Sequence, residues 1–227
     1  MRVVVVGLVG FMLTGCATRT LTETETAFLQ TTHGDAFRAE NMRVTKGALV
    51  GSIPLSRPTR PPVACREKIW PPETGGTVST RIAGMVLFRR LLVARWYYRD
   101  DFVGGYPDAL PLPDAMFLAH EATHVWQWQA RAMTGYAPWK AAAEHVQSKD
   151  PYLFALEPDV TFLDYGYEQQ ASLVEEFVCC RALDPDGART DRLKSLLEPV
   201  FPDLVETEIA DRVLLPWEDA KTRGICS

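Results

Sequence analysis

The chain has 227 residues, with 24 Lys and Arg against 29 Asp and Glu, for a formal charge of −5. Its 47% hydrophobic and 23% charged content is ordinary for a globular protein and is enough for one domain with a sizeable core. A mildly acidic chain without a basic stripe excludes the usual electrostatic footprint of a nucleic-acid binder, and no repeat or low-complexity tract points to a solenoid or a disordered array.

At the N-terminus, Arg2 forms a short positive region and Val3 to Leu13 an apolar run broken only by glycines. The run is too short to span a bilayer as a helix and suits a secretory leader. Leu13-Thr14-Gly15-Cys16 closes it and resembles the lipobox of bacterial lipoproteins. That resemblance implies removal of residues 1–15 as a signal peptide and a lipid anchor on Cys16. It also implies the bacterial cell envelope, and Ala17 after the cysteine favours the outer membrane, with the protein facing the periplasm. Four other cysteines remain: Cys65, Cys179, Cys180 and Cys226. An even number in an oxidising compartment permits disulfides. Adjacent Cys179 and Cys180 point to different faces of one helix, so each can pair separately with Cys65 or Cys226, while buried free thiols are the alternative. The absence of a spaced C-x-x-C pair speaks against a cysteine zinc site.

Residues 16–43 read as a polar N-terminal segment, with a short helix over Thr22–Thr32 that packs Phe28 and Leu29. Residues 44–227 read as a single domain. Its first part, 44–80, is rich in Pro, Gly and Arg, and Pro58, Pro61, Pro62, Pro71 and Pro72 forbid long elements. At most two short strands are expected there, around Ala48–Ile53 and Glu67–Trp70. Residues 84–99, GMVLFRRLLVARWYYR, are β-branched and aromatic, which favours a strand or hairpin over a helix. The arginines there are expected to be solvated or paired with Asp100 and Asp101. Gly104, Gly105, Pro107, Pro111 and Pro113 then impose a loop.

A helix is predicted over Ala115–Thr134, with Asp114 as N-cap and Gly135 just beyond its end. It contains His120-Glu121-Ala122-Thr123-His124. Two histidines four apart lie on one helical face, about one turn from each other, so both imidazoles can reach a single metal ion. The intervening Glu121 is placed to take a proton from an activated water. This is the layout of a zinc hydrolase, and Gln127 is expected on the same stripe. Trp126 and Trp128 fall on other faces and read as packing aromatics.

After a helical patch at Lys140–Gln147 and a strand expected at Tyr152–Leu156, a second strong helix begins near Asp164 or Tyr165 and ends by Leu183. Further helices are expected over Asp191–Leu197 and Asp203–Leu214. Catalytic zinc usually takes three protein ligands and a water, so two histidines are not enough. Gln127 and Ala130 occupy the positions where metzincins carry Gly and His, which removes that class. The second helix carries Tyr167-Glu168-Gln169-Gln170-Ala171. Together with the His120 motif, this EQQA stretch resembles the gluzincin metallopeptidases and a group of small bacterial zincin domains, over roughly residues 85–183. The resemblance implies an α+β, zincin-like fold of minimal gluzincin type, with a small N-terminal β part and a mainly helical C-terminal half. It implies zinc held by His120, His124 and Glu168, with Glu121 as general base and a peptide or protein as substrate.

Several alternatives stay open. Glu175 shares the helical face of Glu168, and could be the ligand or could hold a histidine by hydrogen bonding. Asp164 would serve in an aspzincin-like arrangement. His145 is the last ligand candidate, although alone in an alanine-rich patch it reads more readily as a surface residue, and Tyr165 or Tyr167 could donate to a tetrahedral intermediate. A strand at Met85–Val93 could pair with an extended substrate. The same scaffold could also serve a binding or assembly lipoprotein without turnover.

Overall fold

A computed structural model describes residues 17–47, 49–148, 150–205 and 209–227. The leader and Cys16, on which the anchoring expectation falls, lie outside the described residues. The architecture is a mixture of α and β. In chain order the regular elements are β1 (Thr18–Arg19), α1 (Glu23–His33), β2 (Arg43–Gly47), β3 (Leu55–Pro58), α2 (Cys65–Lys68) and β4 (Thr77–Thr80). They continue with β5 (Gly84–Leu87), β6 (Arg90–Ala94), β7 (Leu110–Pro111), α3 (Leu112–Gln129), α4 (Arg131–Thr134) and α5 (Pro138–Gln147). The last are α6 (Tyr167–Leu183), α7 (Ala188–Leu197) and β8 (Val213–Leu214).

Four strands form the main sheet in the order β1-β2-β6-β5. The outer pairs are antiparallel and the central β2–β6 pair is parallel, in the register Arg43↔Arg90 to Gly47↔Ala94. Inward-facing Val44, Val86, Leu91 and Val93 are buried against the helices, the period-2 pattern expected of a sheet with one covered face. The ambiguous 84–99 segment is thus a hairpin, turning at Phe88 with φ 61° while its ring packs on Trp128. Residues 17–43 share the core, since α1 buries Phe28 and Leu29 completely. Thr22 caps α1 and Glu25 reaches back to the Thr22 amide, a reciprocal box that satisfies two amides at the helix start.

Helices α3 and α6 pack along each other at the centre. Leu118, Ala122 and Val125 on α3 and Leu173, Val174 and Phe177 on α6 are all buried. Two disulfides fasten α6, Cys65–Cys179 to α2 and Cys180–Cys226 to the C-terminal segment. The adjacent cysteines therefore do take separate partners. Between these bridges lies fully buried Glu176. It accepts from the Cys65 and Arg66 amides at the start of α2 and from the Arg189 guanidinium.

Several expected elements differ. Glu67–Trp70 does not form a strand; Cys65–Lys68 is a short helix, because Glu176 satisfies its first amides. Of the other early strand, Ala48 lies outside the described residues and 49–52 is a turn, while the strand itself is the preceding Arg43–Gly47. Tyr152–Leu156 is irregular, its Leu153 and Tyr152 carbonyls taken by the Gln169 and Arg66 side chains. Helix α3 starts at Leu112, with Pro113 in its first turn, where a missing N–H costs nothing. Asp114 then lies inside the helix and pairs with Arg99, leaving Asp101 to accept from Thr22 and Thr24. The long helix breaks at Ala130 and ends at Gly135 in the left-handed region, φ 64°. No helix covers the described part of 203–214, where Val213 and Leu214 instead pair in parallel with Leu110 and Pro111.

His33 ties α1 to the motif helix. Its ring is fully buried, with Nδ1 against Thr32 Oγ1 at 2.8 Å and Nε2 against Thr123 Oγ1 at 3.0 Å. Burial keeps this imidazole neutral, pulling its pKa from 6.5 down to about 3. The unfolded chain takes up the proton as pH falls through about 6.5, whereas the folded chain does not until about 3. This contribution is therefore complete above pH 6.5 and is lost progressively below it. Urea unfolding should show roughly 2 kcal/mol of His33-dependent destabilisation between about pH 7.5 and about pH 5. His33→Gln should remove that part of the slope, and identical slopes in the two proteins would contradict the assignment.

Candidate metal centre

The motif helix turns His120 and His124 toward the first turn of α6. Their Nε2 atoms lie 3.4 and 3.3 Å from the same oxygen, Glu168 Oε2, and one ligand atom from each of the three residues falls within 4.8 Å of the others. This is a group able to hold one metal ion. All three residues are buried, although the chain between His124 and Glu168 includes a whole further helix, α5, that is largely exposed.

Each imidazole is oriented through its other nitrogen. His120 Nδ1 lies 3.2 Å from Glu175 Oε2, and His124 Nδ1 lies 2.9 Å from Gln127 Oε1. These contacts leave both Nε2 atoms facing the cluster, as supporting hydrogen bonds do for metal-binding histidines. Gln127 in turn donates to the Tyr167 carbonyl and to Gln170 Oε1, which fixes its amide and joins α3 to the start of α6. Arg66 pairs with Glu175 at 3.2 Å and extends the network to α2. Glu175 is thus the residue that holds a histidine. Asp164 is exposed and accepts from the Thr161 amide and hydroxyl, away from the cluster.

Glu168 has further support. Glu144 on α5 accepts from the Tyr167 and Glu168 amides at 2.8 and 3.0 Å and so caps α6 from a neighbouring helix. His145 is partly exposed, yet its Nε2 reaches Glu168 Oε1 at 3.0 Å, so the expected surface histidine touches the site. Tyr165 and Tyr167 do not point at the cluster: their hydroxyls donate to the Ala155 and Thr134 carbonyls. Tyr136 and Tyr152 flank it instead, with rings 6.1 Å from His124 and 5.7 Å from His120.

The electrostatics favour positive charge at this point. Burial opposes protonation of His120, but Glu168 and Glu175 outweigh it and push its pKa up to about 10. His124 is likewise raised against burial, by Glu168. Burial also opposes ionisation of Glu168 and Glu175, but the histidines hold Glu168 well below the usual range and Arg66 with His120 brings Glu175 to about 2. Glu121 differs. Burial raises its carboxyl, and Oε2 is a buried oxygen without a hydrogen-bond partner. A carboxylate oxygen kept dry and unpaired beside two imidazoles is aimed at something other than the protein.

His120 and Glu121 open onto a cleft of about 640 Å³ whose walls include Trp70, Gly84, Phe117 and Tyr152. Gly84, at the start of edge strand β5, approaches so closely that a Cβ there would lie 2.8 Å from Glu121 Oε1 and 2.6 Å from Phe117 Cζ. No spacing rule connects Glu144, Tyr136 or Tyr152 with the motif, so sequence reasoning missed them. Glu144→Ala should destabilise the fold by about 1–2 kcal/mol and weaken binding of a divalent metal roughly 10–100-fold, because α6 loses its cap beside Glu168. Thermal unfolding and competitive metal titration would measure the two effects, and unchanged affinity would show that the cap does not position Glu168.

No protein-family model matches the chain, and neither does any curated protein. Among solved structures it is similar to the effector domain of Pseudomonas aeruginosa VgrG2b, at 20% identity over 83% of this chain and 88% of that one, with a TM-score of 0.50. At this identity the likeness concerns the fold alone.

Proposed function

We propose that the chain is a zinc-dependent metallopeptidase of the bacterial cell envelope, anchored by a lipid on Cys16. The observation that carries this reading is the convergence of His120, His124 and Glu168 beside a buried, unpartnered Glu121 oxygen. Two imidazole nitrogens and one carboxylate oxygen are a donor set that suits zinc and leaves room for water. The supporting contacts on both Nδ1 atoms fit neutral histidines that offer Nε2 to a cation.

When bound, zinc supplies Lewis acidity that polarises a carbonyl and brings the pKa of water toward about 7. The protein's part is proton handling and positioning. Glu121 Oε2 accepts the proton of the attacking water and returns it to the departing amine; its raised carboxyl pKa suits both roles. The missing side chain of Gly84 lets β5 come close to Phe117 and to this carboxylate. Tyr136 and Tyr152 flank the imidazoles, and burial raises both phenols, so they remain neutral donors at any physiological pH.

Purified protein should contain about one zinc per chain by elemental analysis, and His120→Ala with His124→Ala should contain none. Glu121→Gln should retain the metal and lose at least about a hundredfold in peptide cleavage. Equal turnover by the wild type and Glu121→Gln would reject this assignment and favour a non-catalytic binding or assembly role for the same scaffold.

A further inference from the structure

One end of the main sheet carries features the cluster does not use. Ala17 reaches this end first, where its carbonyl accepts from the Lys46 amide at 3.0 Å. The register places Lys46 opposite Val93, Gly47 opposite Ala94 and Gly84 opposite Val93. The turn after β2, the approach to β5 and the turn after β6 therefore all emerge beside Ala17.

Those connections display large apolar side chains to solvent: Leu49 at 85% exposure, Ile53 at 75%, Trp96 at 53% and Ile82 at 44%. They form one patch. Gly51 has φ +71° and sits so tightly that a Cβ there would meet the Ile82 carbonyl at 2.3 Å and Trp96 Nε1 at 3.0 Å. The turn bearing Leu49 and Ile53 is thus folded down onto Ile82 and Trp96. Apolar groups that would ordinarily be covered are instead held outward by a close-packed backbone.

The charge at this end opposes that of the whole chain. Segments 17–22, 46–53, 79–84 and 94–99 contain Arg19, Lys46, Arg81, Arg95 and Arg99 and no Asp or Glu. Arg19 and Arg99 are spent on Glu25 and Asp114. Lys46, Arg81 and Arg95 are exposed and form no ion pair among the described residues, although Lys46 lies over the Tyr98 ring at 5.1 Å. Exposed aliphatic residues, a tryptophan and a fringe of cations are the composition of a surface that sits in the headgroup region of a bilayer.

We infer that this end of the sheet is a membrane-docking face that inserts Leu49, Ile53 and Trp96 into an anionic phospholipid surface. The inference deepens the anchored reading and rests on it for the identity of the partner. A lipid on Cys16 joins the fold one residue before Ala17, so the anchor and the patch engage the same bilayer. The anchor alone leaves the fold free to swivel above the bilayer, and an apolar and cationic face is the kind of second contact that sets its orientation. Arg81 and Ile82 also line the cleft, which then opens along the membrane surface.

The test uses the chain from residue 16 onward carrying Cys16→Ser, so that no acyl group contributes. It should float with vesicles of phosphatidylethanolamine and phosphatidylglycerol and much less with phosphatidylcholine, and salt should weaken the binding. Leu49→Ser with Ile53→Ser should reduce partitioning at least about tenfold. Removing Lys46, Arg81 or Arg95 as Gln should cost on the order of fivefold each on anionic vesicles. Trp139→Ser with Val146→Ser, which removes exposed apolar residues elsewhere, should leave binding unchanged, and near-UV circular dichroism verifies that every variant is folded. No flotation of the parent, equal flotation of all variants, or sensitivity appearing only in self-association by sedimentation equilibrium would overturn the proposal. Acylation of Cys16 is read separately by palmitate labelling of the native chain, and zinc and turnover by the assays above, so failure of either reading is distinguishable from failure of this one.

Discussion

Burying the Glu168 carboxylate costs free energy that only compensating positive charge offsets, and the packing of α3 against α6 brings that charge to it. His120 and His124 approach one oxygen of Glu168, while Glu175 and Gln127 hold the two rings from behind. Neither helix could keep this arrangement alone, because each supplies groups that would be uncompensated without the other. The apolar seam beneath the cluster sets the helix spacing, and the polar groups above it are satisfied only at that spacing.

The rest of the chain serves to fix α6. Glu144 closes its first turn, Gln127 binds the Tyr167 carbonyl, and the two disulfides secure its far end. Arg181 donates from α6 to the Thr31 carbonyl and hydroxyl, and His33 joins α1 to Thr123 within the motif. The supports thus come from every side of the fold, and a rigid surround is what a metal centre needs to hold its ligands in place. Glu121 keeps a buried oxygen without a hydrogen-bond partner, as Glu67 does, but Glu67 has the Arg66 guanidinium 2.8 Å away. In the proposed reaction the unsatisfied Glu121 oxygen is the functional element.

Much of the site is legible from spacing alone, since four-residue separation on a helix makes His120 and His124 neighbours whatever the tertiary fold. Glu168 is a different kind of inference, because its proximity depends on how two distant helices pack, and only the likeness of the EQQA stretch to known Glu-helices pointed to it. Glu144 is beyond reach, and His145 can be named but not placed, because α5 is brought to the site by a loop whose geometry leaves no periodic trace. The β-rich first part is less legible in the sequence than the helices. Its short elements follow from side-chain partners rather than local propensity, as when Glu176, far along the chain, makes Cys65–Lys68 helical. Asp114 looked like a cap because Pro113 precedes it, yet proline fits a first helical turn as readily as the position outside it.

In the proposed site, two imidazoles and one carboxylate surround a zinc ion. X-ray absorption at the zinc edge of purified wild-type protein tests it most directly. The expected spectrum has a low-coordinate shell of nitrogen and oxygen at about 2.0–2.2 Å, with the outer-shell scattering of two imidazoles and no sulfur. A sulfur shell near about 2.3 Å, or a single imidazole, would place the metal elsewhere and contradict it.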